Sequence, residues 1–262
     1  MCDLKDAHEK GYMTKPIHYN SIYNYLENAA FTPVLRDMIT HSSLPLRTVK
    51  TAFAPDSSGF STSRFVRWFD EKYGITRSGH DWVKVHLMTG VKTNIVAAVE
   101  IHHRDAADCP QFEPLVKATA ANFTVKEVSA DKAYLSHDNL SLVVGLGATP
   151  YIPFKSNSQP GEANSLWEKL FLFYSFHRED FLTRYHQRSN VESTFRMIKG
   201  RFGGSVRSKT DVAMTNEVLC KVLCHNLCVV IQSQIELGIA PVFWPKNAEQ
   251  ENPDVLPMVQ PG

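Results

Sequence analysis

Residues 82–101, WVKVHLMTGVKTNIVAAVEI, decide the fold because they have the pattern of two consecutive β-strands. Trp82–Met88 alternates, and the residues that share one of its sides are Trp82, Lys84, His86 and Met88. This period of two is typical of a strand with two different faces. Thr93–Ile101 is a largely apolar run, which suits a strand covered on both faces. Together the two segments predict a sheet that contains a buried strand.

Acidic residues follow the strands on either side of this segment. Arg47–Ala54 is short, rich in β-forming residues, and runs into Asp56. Downstream, a helical pattern over Ala107–Phe123 leads to a strand at Val125–Ala130 that ends at Asp131. Open α/β sheets bind their ligands beyond the C-terminal ends of the strands. We therefore expect both aspartates to lie at a functional site.

The remaining patterns are mostly helical. Helices are predicted near Tyr19–Asn28, Pro33–Thr40, His137–Leu146, Ala163–His177, Tyr185–Phe202 and Asp211–Leu237, with a short strand at Thr149–Phe154. Residues 1–16 show neither a helical nor a strand period, and Lys155–Glu162 is a loop by composition. Three strands, then helix, strand, helix, strand and C-terminal helices make a mixed α/β order. That is also the order of a ribonuclease H-like fold, in which helices flank a mixed sheet.

The composition is that of an ordinary globular protein, because 43% of the 262 residues are hydrophobic and 21% are charged. No apolar run reaches the roughly 20 residues of a membrane span, and the charged N-terminus is unlike a signal peptide. We therefore expect a cytoplasmic protein with no membrane partner. Three of its cysteines, Cys220, Cys224 and Cys228, have helical spacing, which predicts small buried residues in a reduced protein.

Positive charge is concentrated in residues 181–210, although the net charge of the whole chain is only +1. Seven cations are found there against one acid, Glu192: Arg184, Arg188, Arg196, Lys199, Arg201, Arg207 and Lys209. A local excess of this size is the footprint expected where a phosphate backbone lies. A solvated basic helix face would give the same count, so the acid inside the segment is what favours a functional surface.

The predicted helix Tyr185–Phe202 carries these charges beside an apolar face. At about 100° per residue, the residues that share a stripe roughly 60° wide are Tyr185, Arg188, Glu192 and Lys199. The adjoining stripe is apolar and can pack on a sheet. An amphipathic helix with a simple Arg188–Glu192 pair would explain the pairing of those two charges. It would not explain why a tyrosine and a lysine share the stripe.

Three carboxylates are candidates for a metal site. Phosphoryl transfer on DNA needs an activated nucleophile and a neutralised transition state, and two divalent ions about 4 Å apart supply both. Mg²⁺ prefers oxygen ligands and keeps several waters, so two or three convergent carboxylates suffice. Asp56 and Asp131 at strand ends, with Glu192 from a helix packed across them, would form such a site. Without cations, three acids at one point would repel one another.

Four blocks of the sequence occur in an order that is found in a known family. They are FAPDSSGFS (53–61), VSADKAYLS (128–136), YHQRSNVESTFRMIK (185–199) and NEVLCKVLCHNL (216–227). The third matches a Y-(2)-R-(3)-E-(6)-K signature in full. Over about residues 17–238 the chain therefore resembles the DDE transposases of bacterial insertion sequences. The resemblance implies a ribonuclease H-like core for DNA transposition that is bacterial, cytoplasmic and associated with the nucleoid.

The resemblance also implies roles for particular residues. Asp56, Asp131 and Glu192 would be the catalytic acids and the ligands of two Mg²⁺ ions, for which Mn²⁺ would substitute. Residues expected to contact DNA are Tyr185, Arg188, Lys199 and Trp167, together with Arg196 and Arg201 from the basic segment. Among them, Trp167 is the candidate for stacking on a base flipped from the duplex. The partners would be double-stranded DNA at transposon ends and target, with a homodimer forming on the DNA.

Domain boundaries follow from the same resemblance. Residues 1–45 are expected to be the remnant of an N-terminal helical region, 46–238 the catalytic domain, and 239–262 a flexible tail. About residues 151–180 would be a short insertion that this branch carries before the glutamate helix. The chain departs from the family pattern at Pro55, which removes a ladder hydrogen bond and predicts that the first strand stops early.

Two other functions stay open on the sequence alone. A truncated, catalytically inactive DNA-binding remnant of a transposase would keep the basic segment. A related ribonuclease H-like nuclease would keep the three acids.

Elsewhere, HHRDAADC (102–109) gathers histidines, aspartates and a cysteine, but not at ligand spacing on one helix face. We therefore interpret Asp108 as the N-cap of the following helix and not as a metal ligand.

Overall fold

The computed structural model describes residues 2–49, 51–62, 72, 74 and 82–238. The helices are α1 (Cys2–Glu9), α2 (Tyr19–Glu27), α3 (Phe31–Ser43), α4 (Phe112–Ala120), α5 (His137–Gly145), α6 (Leu166–Phe176), α7 (Arg178–Tyr185), α8 (Ser189–Phe202) and α9 (Asp211–Leu237). The strands are β1 (Ala52–Ser61), β2 (Trp82–Gly90), β3 (Val96–His103), β4 (Glu127–Ser129) and β5 (Thr149–Tyr151). Short 3₁₀ turns are formed by Leu44–Val49, Cys109–Gln111, Lys132–Tyr134 and His186–Arg188.

The described strands form one mixed sheet in the order β3-β2-β1-β4-β5. β1, β2 and β3 are antiparallel neighbours, whereas β4 and β5 run parallel to β1. The carboxyl ends of β1, β4 and β5 therefore point to the same edge of the sheet, where α/β folds place functional groups. A mixed sheet flanked by helices is compatible with the ribonuclease H-like fold that the sequence predicts.

β1 differs from the strand predicted at Arg47–Ala54. The prediction was wrong at its start, because a 3₁₀ turn occupies the preceding residues and the strand begins at Ala52. It was also wrong at its end, because β1 continues through Pro55 to Ser61. Pairing with β4 stops at Phe53, while pairing with β2 continues. Pro55 thus has a strand neighbour on one side only, where a missing N–H donor is tolerated as at a sheet edge.

Alternate residues of β1 and β2 face two different cores. Phe53 and Met88 belong to a cluster that residues of α4 and α5 complete. Phe60, Val85 and Leu87 belong to a second cluster, together with residues of α8 and α9. The alternation predicted for β2 is thus confirmed, and helices cover both faces of the sheet.

α9 is the longest described helix, and its bounds match the predicted range Asp211–Leu237. Thr210 caps its N-terminus, and Gly238 ends it in the left-handed conformation with a φ of 60°. By length and composition alone, Asp211–Glu236 could cross a membrane, and 44% of its most apolar window is buried inside the protein. The core helix of a globular protein passes the same test, and α9 contributes to the second core cluster.

Two further predictions differ from the structure, and one is outside it. Residues 1–16 show no period, yet α1 forms within them. The helix predicted over Ala163–His177 begins later, at Leu166, because Ser165 provides the N-cap that fixes its start. The tail predicted at 239–262 lies outside the described residues.

The cysteines of α9 are free thiols. Cys224 is exposed, and Cys220 and Cys228 are only half-buried, so the prediction that these residues are buried was wrong. Leu227 and Ile231 have helical spacing with Cys224 and are 50% and 57% exposed, because this side of α9 is turned away from the core.

Candidate active site

Asp56 lies on β1, on the face that α8 covers. Its side chain is 23% exposed. Burial raises the pKa of Asp56 above its usual value, although the Ser57 backbone hydrogen bond and the charge of Arg188 oppose this. The charges of Glu192 and Asp131 raise the pKa further. The three acids are therefore close enough to influence one another's ionisation.

Asp131 follows β4 and is held by backbone hydrogen bonds. Its Oδ1 accepts the Ala133 N–H at 3.0 Å, which makes it the N-cap of a 3₁₀ turn. Its backbone carbonyl accepts the Tyr134 N–H at 2.9 Å. Because β4 runs parallel to β1 with Val128 opposite Phe53, the turn places this carboxylate beside Asp56, in the middle of β1.

Glu192 lies in the first turn of α8, where the helix dipole favours a negative charge. Buried Val191 and Phe195 anchor the helix on the sheet, while the Glu192 side chain is 59% exposed. The prediction of one helix over Tyr185–Phe202 was wrong, because a 3₁₀ turn at His186–Arg188 separates α7 from α8. The acid and the residues before it therefore do not share one straight helical face.

Arg188 is the point at which the three acids meet. Its Nη1 lies 3.8 Å from Asp56 Oδ1, while Nη2 lies 3.9 Å from Asp131 Oδ2 and 3.1 Å from Glu192 Oε1. Burial alone would lower the pKa of Arg188, but Tyr185, Asp56 and Asp131 hold it above its usual value. One guanidinium group thus contacts three carboxylates that are far apart in the chain.

The cluster keeps an excess of negative charge, because one cation faces three carboxylates. As placed, no three His, Cys, Asp or Glu side chains among the described residues could hold a metal ion together. The donor set nevertheless fits Mg²⁺, which prefers oxygen ligands. The side chains of Asp131 and Glu192 are 38% and 59% exposed, so an ion can reach them from solvent. The Arg188 guanidinium lies between the three carboxylates, where a shared ion would have to bind.

Residues 47–227 match a family model described as the transposase DDE domain. The match covers more than half of the chain and includes all three acids and Arg188. The chain belongs to the transposase DDE domain family. Members of this family generally use divalent metal ions, which agrees with the oxygen donors of the acid cluster.

Two other residues of the predicted stripe lie near the acids of this DDE domain. The Tyr185 ring centre is 5.8 Å from the guanidinium carbon of Arg188. Lys199 Nζ donates to Ser58 Oγ at 2.7 Å and lies 5.3 Å from the centre of the Phe60 ring. Burial lowers the pKa of Lys199. The lysine therefore lies over β1, on the face that carries the first aspartate.

The basic residues of 181–210 differ in how far they are already neutralised. Arg184 Nη1 lies 3.2 Å from Glu127 Oε1, so its charge is partly balanced within the domain. Arg196 and Arg201 are exposed on α8 and form no ion pair with a described residue. Arg207 and Lys209, after α8, are exposed as well and also form no ion pair with a described residue, so four cations of the segment are available to an external phosphate backbone.

Trp167, the predicted base-stacking residue, lies in α6 among other rings. Its indole stacks on the His137 ring at 4.1 Å and meets the Phe154 ring edge-on at 4.9 Å. Its Nε1 donates to the Gln159 carbonyl at 2.9 Å. One face of the indole is therefore occupied. Phe176, at the end of α6, is 78% exposed, and no sequence pattern separates it from the other rings of this helix.

Proposed function

We propose that this DDE domain is the catalytic core of a DNA transposase, which hydrolyses phosphodiesters at transposon ends and transfers the strands into target DNA. The observation that carries the proposal is the convergence of Asp56, Asp131 and Glu192 on Arg188 within 3.9 Å. Three like charges at one point destabilise a fold unless cations meet them. A cluster with two unbalanced negative charges is therefore better explained by cation binding than by stability.

Two Mg²⁺ ions, or Mn²⁺ in their place, would activate the attacking water or 3′-hydroxyl and neutralise charge on the phosphate. Asp56 and Asp131 would contribute ligand oxygens from positions that the strand β1 and the turn after β4 fix. Glu192 would complete the set from the exposed first turn of α8. The two aspartates thus provide the rigid part of the site and the glutamate provides its accessible part.

Arg188 would have two successive roles in this site. Before ions bind, its guanidinium balances the carboxylates and limits their mutual repulsion. When divalent charge replaces it, Arg188 becomes free to contact a DNA phosphate, for which its planar set of donors is suited. Tyr185 packs beside the guanidinium and would keep the arginine near the site during the exchange.

DNA would lie along the exposed side of α8. Arg196 and Arg201 would contact phosphates there, and such contacts give affinity without reading the sequence. Lys199 would act closer to the scissile phosphate, because it already lies over β1. Trp167 remains the proposed stacking residue, with the exposed Phe176 as a second aromatic in the same segment. A second copy of the chain would hold the other transposon end.

Nicking of a supercoiled plasmid in Mg²⁺ tests the proposal. Glu192→Gln keeps the shape of the side chain and removes its charge, so nicking should slow by about 10³-fold, equivalent to about 4 kcal/mol. Glu113→Gln is a matched control, since Glu113 is an exposed acid on α4 whose partner is Lys117. The control should nick at the parent rate. Equal nicking by Glu192→Gln and the parent would contradict the proposal.

The same assay separates the two other functions. Salt-sensitive DNA binding without Mg²⁺-dependent cleavage, even on pre-nicked ends, would favour an inactive remnant. Faster cleavage of an RNA–DNA hybrid or a junction than of duplex DNA would favour a nuclease of related fold. A transposase is expected to join a 3′-hydroxyl end to a second duplex, which neither alternative does.

A further inference from the structure

A second polar cluster lies on the opposite face of the sheet from the acids. Lys84 Nζ lies 2.9 Å from Asp108 Oδ1 and donates to the Ala106 carbonyl at 2.7 Å. His86 Nδ1 lies 3.6 Å from the same carboxylate oxygen, and its side chain is fully buried. Asp108 occupies the N-cap position of the 3₁₀ turn Cys109–Gln111, as predicted, but its side chain makes no cap hydrogen bond. Its carboxylate turns to the lysine of β2 because that cation is within reach.

The cluster reaches the first aspartate through Ser57. Ser57 pairs with His86 across β1 and β2, so both side chains lie on the same face of the sheet. The Ser57 side chain lies near the Asp108 carboxylate and helps to lower the pKa of that group. Since Asp56 is the adjacent residue, its side chain emerges on the other face. A contact that fixes Ser57 therefore also fixes the strand backbone from which the catalytic carboxylate projects.

The cluster reaches the second aspartate through Asn139, a buried residue of α5. Asn139 Nδ2 donates to the Tyr134 carbonyl at 2.8 Å and to the Cys109 carbonyl at 3.4 Å. Tyr134 closes the 3₁₀ turn that Asp131 caps, and Cys109 directly follows the acid of the second cluster. One amide group thus joins the two turns behind the site.

Several polar atoms in and beside this cluster are buried and, within the part of the chain that the structure describes, have no hydrogen-bond partner, which stability alone does not explain. Both ring nitrogens of His86 and the Tyr134 hydroxyl are buried without a hydrogen-bond partner among the described residues. Such groups usually cost more than an apolar residue of the same shape would. Burial lowers the pKa of His86 to about 4, so the ring is neutral at physiological pH. A buried polar cluster directly behind two catalytic acids is better explained by a positioning role.

We propose that Asp108, Ser57 and Asn139 form a positioning network that sets the separation of Asp56 and Asp131. None of the three touches substrate or reacting atoms, so they act through the backbone of the catalytic residues. The inference rests on the proposed function, because the separation matters only if the two aspartates share bound ions. Groups that orient metal ligands in this way typically change metal affinity by about 10–100-fold when they are removed.

Binding of Mn²⁺ to the full chain without DNA, followed by electron paramagnetic resonance, tests the network. Ser57→Ala removes only a hydroxyl from a half-buried strand position, and we expect the Mn²⁺ dissociation constant to rise about 10-fold. Ser57→Thr keeps the hydroxyl and should bind Mn²⁺ like the parent. Asp108→Asn should weaken Mn²⁺ binding at least as much as Ser57→Ala. Asp108→Asn also leaves Lys84 without its partner. If this variant does not fold, the result for Ser57→Ala alone decides the test.

Thr32→Ala is the matched control for a lost hydroxyl. Thr32 Oγ1 donates to Asn216 Oδ1 at 2.8 Å, far from the site, so its removal lowers stability by a similar amount. Thermal unfolding should report equal losses for Thr32→Ala and Ser57→Ala, with Mn²⁺ affinity changed only in the latter. Parent-like Mn²⁺ binding by Ser57→Ala, or equal weakening by both variants, would overturn the network. No Mn²⁺ binding by the parent would overturn the proposed function together with it.

Discussion

Two charged clusters on opposite faces of β1 differ in how their charges are balanced. On one face, three carboxylates share the single guanidinium of Arg188. On the other face, Asp108 is paired with Lys84 beside a neutral histidine. The first cluster is open to solvent at Glu192, whereas the second is largely buried. The difference fits the proposed roles, in which the first cluster binds divalent cations and the second holds β1 in position.

Side chains alternate between the two faces of β1, so adjacent residues of this strand belong to different clusters. Asp56 and Ser57 are consecutive, so one strand presents the proposed catalytic carboxylate on one face and the proposed anchoring hydroxyl on the other. Because β1 is paired with β2, fixing the backbone at Ser57 would also fix it at the adjacent Asp56. If the clusters have these separate roles, the same chemical change made in each should have opposite effects on stability.

The largest expected effect comes from neutralising one acid in each cluster. Asp56→Asn should slow Mg²⁺-dependent nicking by about 10³-fold. It should also raise the stability of the metal-free protein, because burial raises the pKa of Asp56 and its ionised form is therefore destabilising at neutral pH. Urea unfolding without metal measures the second effect.

Asp108→Asn should lower that stability, by about 1–3 kcal/mol, because it leaves Lys84 without its partner. Burial opposes ionisation of Asp108, yet Lys84 and the nearby Ser57 side chain hold its pKa below the usual 3.8. Its contribution to stability is therefore present above that value and lost as the pH falls through the lower, folded pKa. Stability changes of the same sign in the two variants would contradict the assignment of separate roles.

A smaller effect is expected from acid, through His86. The unfolded chain takes up a proton near pH 6.5, but burial delays protonation of His86 in the folded protein to about pH 4. Stability should therefore fall as the pH drops from 6.5 to 4, by up to about 1.4 kcal/mol per pH unit, and the loss should level off below 4. His86→Gln should reduce this loss in urea unfolding at pH 7 and pH 5.

His225 stays in that variant, and burial lowers its pKa as well, so a part of the acid sensitivity should remain. An unchanged difference between pH 7 and pH 5 in His86→Gln would show that the histidine of the second cluster does not resist protonation. The buried, neutral character assigned to this cluster would then be incorrect.

The smallest effects should come from the exposed cations of α8. Arg196→Gln and Arg201→Gln should each weaken DNA binding a few-fold and reduce the slope of log K against log salt by about one. Fluorescence anisotropy with a labelled duplex at several salt concentrations measures both quantities. Lys117→Gln, on α4, is the control because its charge is balanced by Glu113. If Lys117→Gln changed the slope of log K against log salt equally, the proposal that α8 contacts the DNA phosphates would be contradicted.

The sequence predicts those features of the fold and the site that depend on secondary-structure patterns within short segments. Asp131 follows β4 as predicted, whereas Asp56 lies inside β1 and not at its end. Their proximity follows from the pairing of these two neighbouring parallel strands. The bounds of α9 were also predictable, because Thr210 and Gly238 are local signals for its start and end.

The contacts that give the two clusters their character were not predictable in the same way. Arg188 appeared as an (i, i+4) partner of Glu192, but its contacts with the two aspartates depend on the 3₁₀ turn that interrupts the helix. The Lys84–Asp108 pair joins a strand to a distant connection, and no local pattern reveals which cation an acid reaches in the folded chain. Long-range pairing of polar groups depends on packing that only the structure contains.

Anomalous diffraction from crystals soaked in Mn²⁺ tests most directly whether the three acids bind divalent ions. We expect anomalous peaks between the carboxylates of Asp56, Asp131 and Glu192, with Arg188 displaced from all three. Crystals without a peak there, in which Arg188 still contacts the same carboxylates at high Mn²⁺, would contradict it.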